Sequence, residues 1–299
     1  MSRTAAVSRT KAAPIILGGW SDYLLLTNPR LVSMVLLSTL VGFYLGSSNG
    51  IHIFSFITTL IATAFVSAGS MALNEFLERT TDAKMLRTQN RPLPAGRLQP
   101  NEALWFGALL SLSGFLCFSL FVNFTSTLLA LVTWSSYLFV YTPLKSRTSL
   151  STLAGAIPGA LPPVIGWAAA GRTLNVQAFL LFLIIFFWQM PHFLAIAWMY
   201  REDYARAELP ILSVIDREGK FVARQMIVNM CALMPVSLLP TLFGVTSTVY
   251  FFGAFLLGIC FAAVIIFAAP NLDSRARYVL RASIVYLAAL LSLMIVDKI

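Results

Sequence analysis

The sequence predicts an all-α, polytopic membrane protein: a bundle of nine transmembrane helices with cytoplasmic acidic loops after helices two and six. Three observations predict it. First, 58% of the 299 residues are hydrophobic and 11% charged, against roughly a quarter charged in an ordinary soluble domain. Second, the apolar residues fall in continuous runs near the roughly 20 residues that cross a hydrocarbon core of about 30 Å, without the two-residue alternation of a barrel strand. Third, the basic residues collect in alternate loops.

In chain order, the spans are expected near 31–48, 52–73, 103–122, 124–143, 150–170, 176–198, 223–244, 249–269 and 279–296. The boundary between the third and fourth is the weakest, since almost nothing separates them. This divides the chain into a cytoplasmic amino-terminal segment, 1–30, and one transmembrane domain, 31–299. Arg3, Arg9, Lys11 and Arg30 precede the first span. Further bases fall at Arg79 to Arg97, at Lys145 with Arg147, at Arg201 to Arg224 and at Arg275 to Arg281, after spans two, four, six and eight. The other side has only Arg172 and Lys298. Positive-inside asymmetry then puts the amino terminus in the cytoplasm of a bacterial cell, with the protein in the inner (plasma) membrane. The opening MSRTAAVSRTK leads into a polar stretch rather than the short apolar core of a signal peptide. Being Arg- and Ser-rich and acid-free, it also matches a transit peptide, so the mitochondrial inner membrane is the alternative.

The net charge of +9 belongs to this topology and to anionic lipid or substrate, not to nucleic acid. Cys117, Cys231 and Cys260 lie inside expected spans at no metal-ligand spacing and read as packing residues. The four-helix separation of the two acidic loops hints at a repeated unit, but the sequences do not align well enough to establish one.

Nine of the twelve acids lie in the polar stretches 74–102 and 199–222. If span two continues as a helix beyond the membrane surface, Asn74, Glu78 and Asp82 recur every four residues, and Glu75 lies on the same side. That row is roughly 12 Å long, and like charges so spaced repel unless a cation lies between them. Hard oxygen ligands suit Mg²⁺, which completes its shell with water and phosphate oxygens. Arg79, Lys84, Arg87 and Arg91, with Lys145, Arg147 and Arg201 at the same membrane face, supply donors that phosphates favour. Span six ends with Glu202 and Asp203, so two carboxylate clusters could share a diphosphate through bridging Mg²⁺. The metal set is then Asn74, Glu75, Glu78, Asp82, Glu202 and Asp203. A mixed-charge loop at a helix end is equally what any positive-inside loop looks like; the second acidic loop favours a site.

The pattern Asn74-x3-Glu78-Arg79-x2-Asp82-x2-Met85-x-Arg87-Thr88-x2-Arg91-Pro92-Leu93-Pro94 resembles the signature of the protohaem IX farnesyltransferase branch of the UbiA-type intramembrane prenyltransferases. The resemblance extends to Tyr141-Thr142-x2-Lys145, Pro162-Pro163-x2-Gly166-Trp167, Trp188-Gln189-x-Pro191-His192-Phe193 and Asp203-Tyr204. One departure is Glu78, where the family usually carries Asp, and another is the pair Asn74-Glu75 in place of Asn-Asp. The added methylene changes a ligand distance while keeping the charge. The resemblance implies transfer of farnesyl from farnesyl diphosphate to a vinyl group of haem b, with addition of water. Asn74, Glu78, Asp82, Asp203 and His192 would be catalytic, and Tyr141 would join the diphosphate contacts. It also implies membrane-dissolved substrates, and haem A synthase or terminal-oxidase assembly factors as partners. A sister enzyme acting on a quinone precursor or chlorophyllide is the nearest alternative. A transporter, suggested by the Gly and Pro residues of span five, is the alternative of another class.

His192, one of two histidines, would lie about 16 Å from Asp203 on the same face of a continuous helix, though Pro191 could kink it. It is read as a haem contact, as the base for the quenching water, or as a structural hydrogen-bonding residue. Trp188 and Gln189 are candidate haem neighbours.

Overall fold

A computed structural model describes residues 18–48 and 50–299. The expected basic positions Arg3, Arg9 and Lys11, and the transit-like opening, lie outside the described residues. Those described form a helical bundle with no named strand; nine of the helical stretches are long and apolar enough to cross a membrane. A short helix α1 (Trp20–Leu26) precedes α2 (Pro29–Gly46), α3 (Ile53–Asp82) and α4 (Pro100–Phe121). The fourth span is composite: α5 (Phe124–Ser135) passes through a wide π turn, Ser136–Tyr141, into α6 (Thr142–Lys145). The fifth is α7 (Ser151–Ala160) followed by α8 (Pro162–Ala169), divided where Pro162 and Pro163 remove backbone donors. The sixth is α9 (Val176–Met199), trailed by the short helices α10 (Arg201–Arg206) and α11 (Leu212–Ile215). The last three are α12 (Lys220–Leu242), α13 (Thr248–Ala268) and α14 (Leu272–Val296).

Two boundaries differ from expectation for one reason. α3 runs to Asp82 and α14 begins at Leu272, because both contain charged turns that hydropathy excludes but that backbone hydrogen bonding readily continues. The expectation that α3 carries its acids on a helix therefore holds. The continuous helix expected from His192 to Asp203 does not. α9 continues through Pro191 and ends at Met199, where Tyr200 leaves helical geometry at φ −110° and ψ 21°. Asp203 belongs to a new helix.

Small residues set the closest contacts, as they do where apolar helices gain nothing from excluding water. A Cβ on Gly166 would stand 2.6 Å from the backbone nitrogen of Phe43, so α2 and α8 touch nearly backbone to backbone. The largest core joins α2, α8, α9 and α12 to α14, with Leu233, Tyr250, Val279, Leu290 and Met294 fully buried. The two bases expected at the far end both serve the carboxyl end of α2. Arg172 Nε donates to the Gly46 carbonyl at 3.1 Å, and Lys298 Nζ donates to the Tyr44 carbonyl at 2.6 Å and to that of Ser47. Cations there offset orphan carbonyls and the helix dipole.

Candidate active site

The last turns of α3 contain no glycine or proline, so the helix carries its polar side chains intact out of the apolar zone. Asn74, Glu75, Glu78 and Asp82 are all buried, Asp82 to 1% exposure. Each finds a partner from outside the helix. Asn74 Nδ2 donates to Thr142 Oγ1 at 3.0 Å. Lys145 Nζ donates to both Glu78 oxygens, at 2.8 and 3.0 Å. Arg91 donates to Asp82 Oδ2 at 2.6 Å, while the Thr88 hydroxyl donates to the Asp82 carbonyl at 2.8 Å. Glu75 Oε1 accepts the Leu93 N–H at 3.4 Å. Buried charges persist only where paired and hydrogen-bonded, and α6 and the 83–98 loop supply the pairing. Burial disfavours the Arg91 guanidinium, yet the Asp82 carboxylate, with Glu75 and Glu78 behind it, holds its pKa above the ordinary value.

The second acidic loop meets the first. Asp203 Oδ1 accepts the Leu86 N–H at 3.1 Å and pairs with Arg206 at 2.9 Å. Arg87 lies over the rings of Tyr200 and Tyr204, 4.6 and 5.4 Å from their centroids, and donates to the Tyr204 hydroxyl at 3.2 Å. Met85 packs among Ala197, Tyr204, Ala207, Leu209 and Ile211. Lys84 and Glu208 form an exposed pair at 3.5 Å, worth little in water. The junction is thus made by Asp203 against a backbone amide and by Arg87 between tyrosines, not by two facing sets of carboxylates.

Between α3 and α6, with Leu209 of the second loop at its edge, lies a cavity of about 220 Å³, lined by Leu77, Glu78, Thr81, Thr142, Lys145 and Leu209 among others. Ligand pockets run from roughly 300 Å³ upward, so this volume suits a charged head group rather than a whole isoprenoid. On the apolar side, the π turn stacks Tyr137 on Tyr141 at 5.5 Å, and Tyr141 covers Gly155, where a Cβ would stand 2.6 Å from the ring. Such turns often mark functional sites.

Among the described residues, no three His, Cys, Asp or Glu side chains are grouped so as to hold a metal. The six-residue set expected from the sequence is therefore not gathered round one point: Glu78, Asp82 and Asp203 are each engaged by a base, and Glu202 is exposed. One feature nevertheless fits a hard cation. Asp82 Oδ1 is buried and has no hydrogen-bond partner, a hard oxygen of the kind such an ion takes.

The remaining expected contacts divide. Arg201 pairs with Asp273 and lies 4.4 Å above the Trp198 ring, whose Nε1 donates to Asp273 at 3.1 Å. Arg79 donates to the Phe76 carbonyl at 2.6 Å, and Arg147 is exposed. Gln189 is buried and donates to the Ala156 carbonyl at 2.9 Å, tying α9 to α7. Trp188 and His192 face α14 instead: Trp188 Nε1 donates to the Ser283 carbonyl at 2.7 Å, and the two rings stack at 4.9 Å. His192 Nδ1 lies 2.8 Å from Ser283 Oγ, whose own proton goes to the Leu280 carbonyl at 2.7 Å. Ser283 thus holds the ring through Nδ1, leaving Nε2 as its other polar atom. Thr88, Thr142 and Tyr204 were not among the expected site residues, although all three sit inside the motif elements quoted above.

Comparison with known proteins places the chain and its fold in a family. Residues 35–291 match the model of the UbiA prenyltransferase family. A protein named protoheme IX farnesyltransferase from Solibacter usitatus is 45% identical, covering 93% of this chain and 98% of that protein. Proteins of the same name from Salinibacter ruber and Koribacter versatilis are 43% and 34% identical, each with 98% of its length covered. A solved structure described as digeranylgeranylglyceryl phosphate synthase in membranes superposes with a TM-score of 0.78 at 18% identity, over 93% of this chain and 97% of that one. A UbiA homologue from Archaeoglobus fulgidus bound to GPP and Mg²⁺ gives 0.67 at 18% identity, over 91% and 99%. With a match that enters all nine spans and takes in both charged loops, the chain belongs to the UbiA prenyltransferase family.

Proposed function

We propose that this enzyme transfers the farnesyl group of farnesyl diphosphate to a vinyl group of haem b, with addition of water, giving the hydroxyethylfarnesyl side chain of haem O. The observation that carries the diphosphate half is the cavity bounded by Glu78 and Lys145, with Arg91 on Asp82 beside it. The haem half rests on relatives at 34–45% identity that bear the haem name, which favours it over a quinone precursor, chlorophyllide or transport.

Lys145, Arg91 and Arg87 bind the departing diphosphate, the guanidiniums with paired donors and the ammonium as a point charge. Asn74, Glu78 and Asp82 would hold Mg²⁺, which supplies positive charge to the leaving group. As the C1–oxygen bond of the farnesyl group breaks, its electron pair leaves with diphosphate. The vinyl terminus then attacks the allylic cation, forming the carbon–carbon bond and moving the positive charge to the adjoining carbon. Water adds there and loses a proton. The stacked Tyr137 and Tyr141 rings, on the turn that leads into Thr142, offer π faces to a cation, and the bundle shields it from early hydrolysis. His192, held by Ser283 and stacked on Trp188, acts on the acceptor side. The basic ends of the spans face the cytoplasm of a bacterial cell whose inner membrane holds the protein, and haem A synthase or terminal-oxidase assembly factors take the product.

The test is incubation of purified protein with haem b, farnesyl diphosphate and Mg²⁺, followed by mass spectrometry. The expected product is haem carrying one farnesyl group and one water. Unchanged haem alongside a prenylated quinone precursor would reassign the acceptor.

A further inference from the structure

The segment 18–26 lies across the loop that carries Arg91 and touches it in three ways. Asp22 Oδ1 accepts from Arg97 Nε at 2.7 Å. Leu26, 1% exposed, is buried with Leu93 and Leu98, while Tyr23 meets Phe106 edge to face at 5.1 Å. A Cβ on Gly18 would stand 2.6 Å from the Arg97 carbonyl, so only glycine lets the backbone come this near. The other arm of Arg97 donates to the Asn90 carbonyl at 3.0 Å. That carbonyl belongs to the peptide bond leading into Arg91, whose guanidinium engages Asp82 at 2.6 Å.

We infer that Asp22 is a positioning residue for diphosphate binding: through Arg97 and the Asn90 carbonyl it fixes where Arg91 presents its guanidinium. The inference rests on the proposed diphosphate site. Its physical basis is the planar fork of Arg97, which serves two acceptors at once and so transmits the place of α1 to the loop. Asp22 itself, buried at 7% exposure, also accepts the Gly19 N–H at 3.2 Å and is therefore fixed in its own helix. Without it Arg97 loses its anchor, and Arg91 samples positions away from Asp82.

The experiment measures equilibrium binding of farnesyl diphosphate with Mg²⁺, and separately of haem b, to the full chain in detergent. Asp22→Asn and Arg97→Lys are each expected to weaken farnesyl diphosphate binding about tenfold, within the range of coupling between contacting residues. Haem b affinity stays unchanged, and Asp22→Glu restores binding. Arg91→Gln weakens binding by itself, and adding Asp22→Asn to it costs nothing further. Should Asp22→Asn not fold, Arg97→Lys carries the test, since it keeps both charges and removes the planar fork that spans the two acceptors. Unchanged affinity in the foldable variants beside a defective Arg91→Gln, or additive losses in the double variant, would overturn the inference and leave the site standing. Normal binding by Arg91→Gln would remove the site itself.

Discussion

Arg91 reaches back across its own loop to Asp82 at 2.6 Å, and it leaves the other carboxylate oxygen of that residue buried and without a partner. A carboxylate half satisfied in this way is costly unless something else occupies it. Asp82→Asn keeps the shape and removes the charge. It is expected to abolish farnesyl transfer while the protein stays folded and membrane-inserted, as judged by size-exclusion chromatography. Turnover near the native rate would take Asp82 out of the Mg²⁺ assignment.

Glu78 and Lys145 form a nearly enclosed pair, with side-chain exposures of 9% and 13%. Glu78→Gln leaves the enclosed ammonium without its counter-charge, a loss of up to about 3–5 kcal/mol when one charge of such a pair is removed. The thermal midpoint should fall accordingly. Glu78→Gln combined with Lys145→Met should recover most of the stability and none of the activity. Glu78→Asp, which keeps the charge, should be milder than Glu78→Gln in both respects; equal inactivity would mean that side-chain length governs the position.

His192 presents Nε2 from a ring fixed by Ser283 and stacked on Trp188. His192→Ala is expected to weaken haem b binding at least tenfold, which corresponds to about 1.4 kcal/mol, and to leave farnesyl diphosphate affinity unchanged. Ser283→Ala, which releases the ring without removing it, should give a smaller effect of the same kind. Native haem affinity, rate and product in His192→Ala would reduce the residue to a structural hydrogen bond.

The orientation is open to labelling. Ser48, Gln89, Glu218 and Thr248 are all exposed. In a background with Cys117, Cys231 and Cys260 replaced by Ala, single cysteines at 48 and 248 should react with an impermeant maleimide from outside intact cells. Cysteines at 89 and 218 should react only after the membrane is opened. Labelling of 89 from outside would invert the topology.

Much of the fold was legible because its cause is local. A run of apolar residues crosses a hydrocarbon core wherever it occurs, so nine spans follow from composition along the chain. The acid row of α3 follows from helical periodicity, and the motif elements mark where to look for a site. The pairings were not legible. Asn74 with Thr142, Glu78 with Lys145 and Leu86 with Asp203 join residues 68, 67 and 117 positions apart, and no local pattern states which base finds which acid. The same limit applies to Gln189 and His192, three residues apart on one helix, which tertiary packing sends to α7 and to α14 respectively. The break at Tyr200 depends on the loop it must meet rather than on helix propensity. Sequence by itself determined that this protein lives in a membrane and carries opposed charges at one face. The tertiary structure decided which charges touch, because a buried ion takes as its partner whatever the packed helices bring within reach.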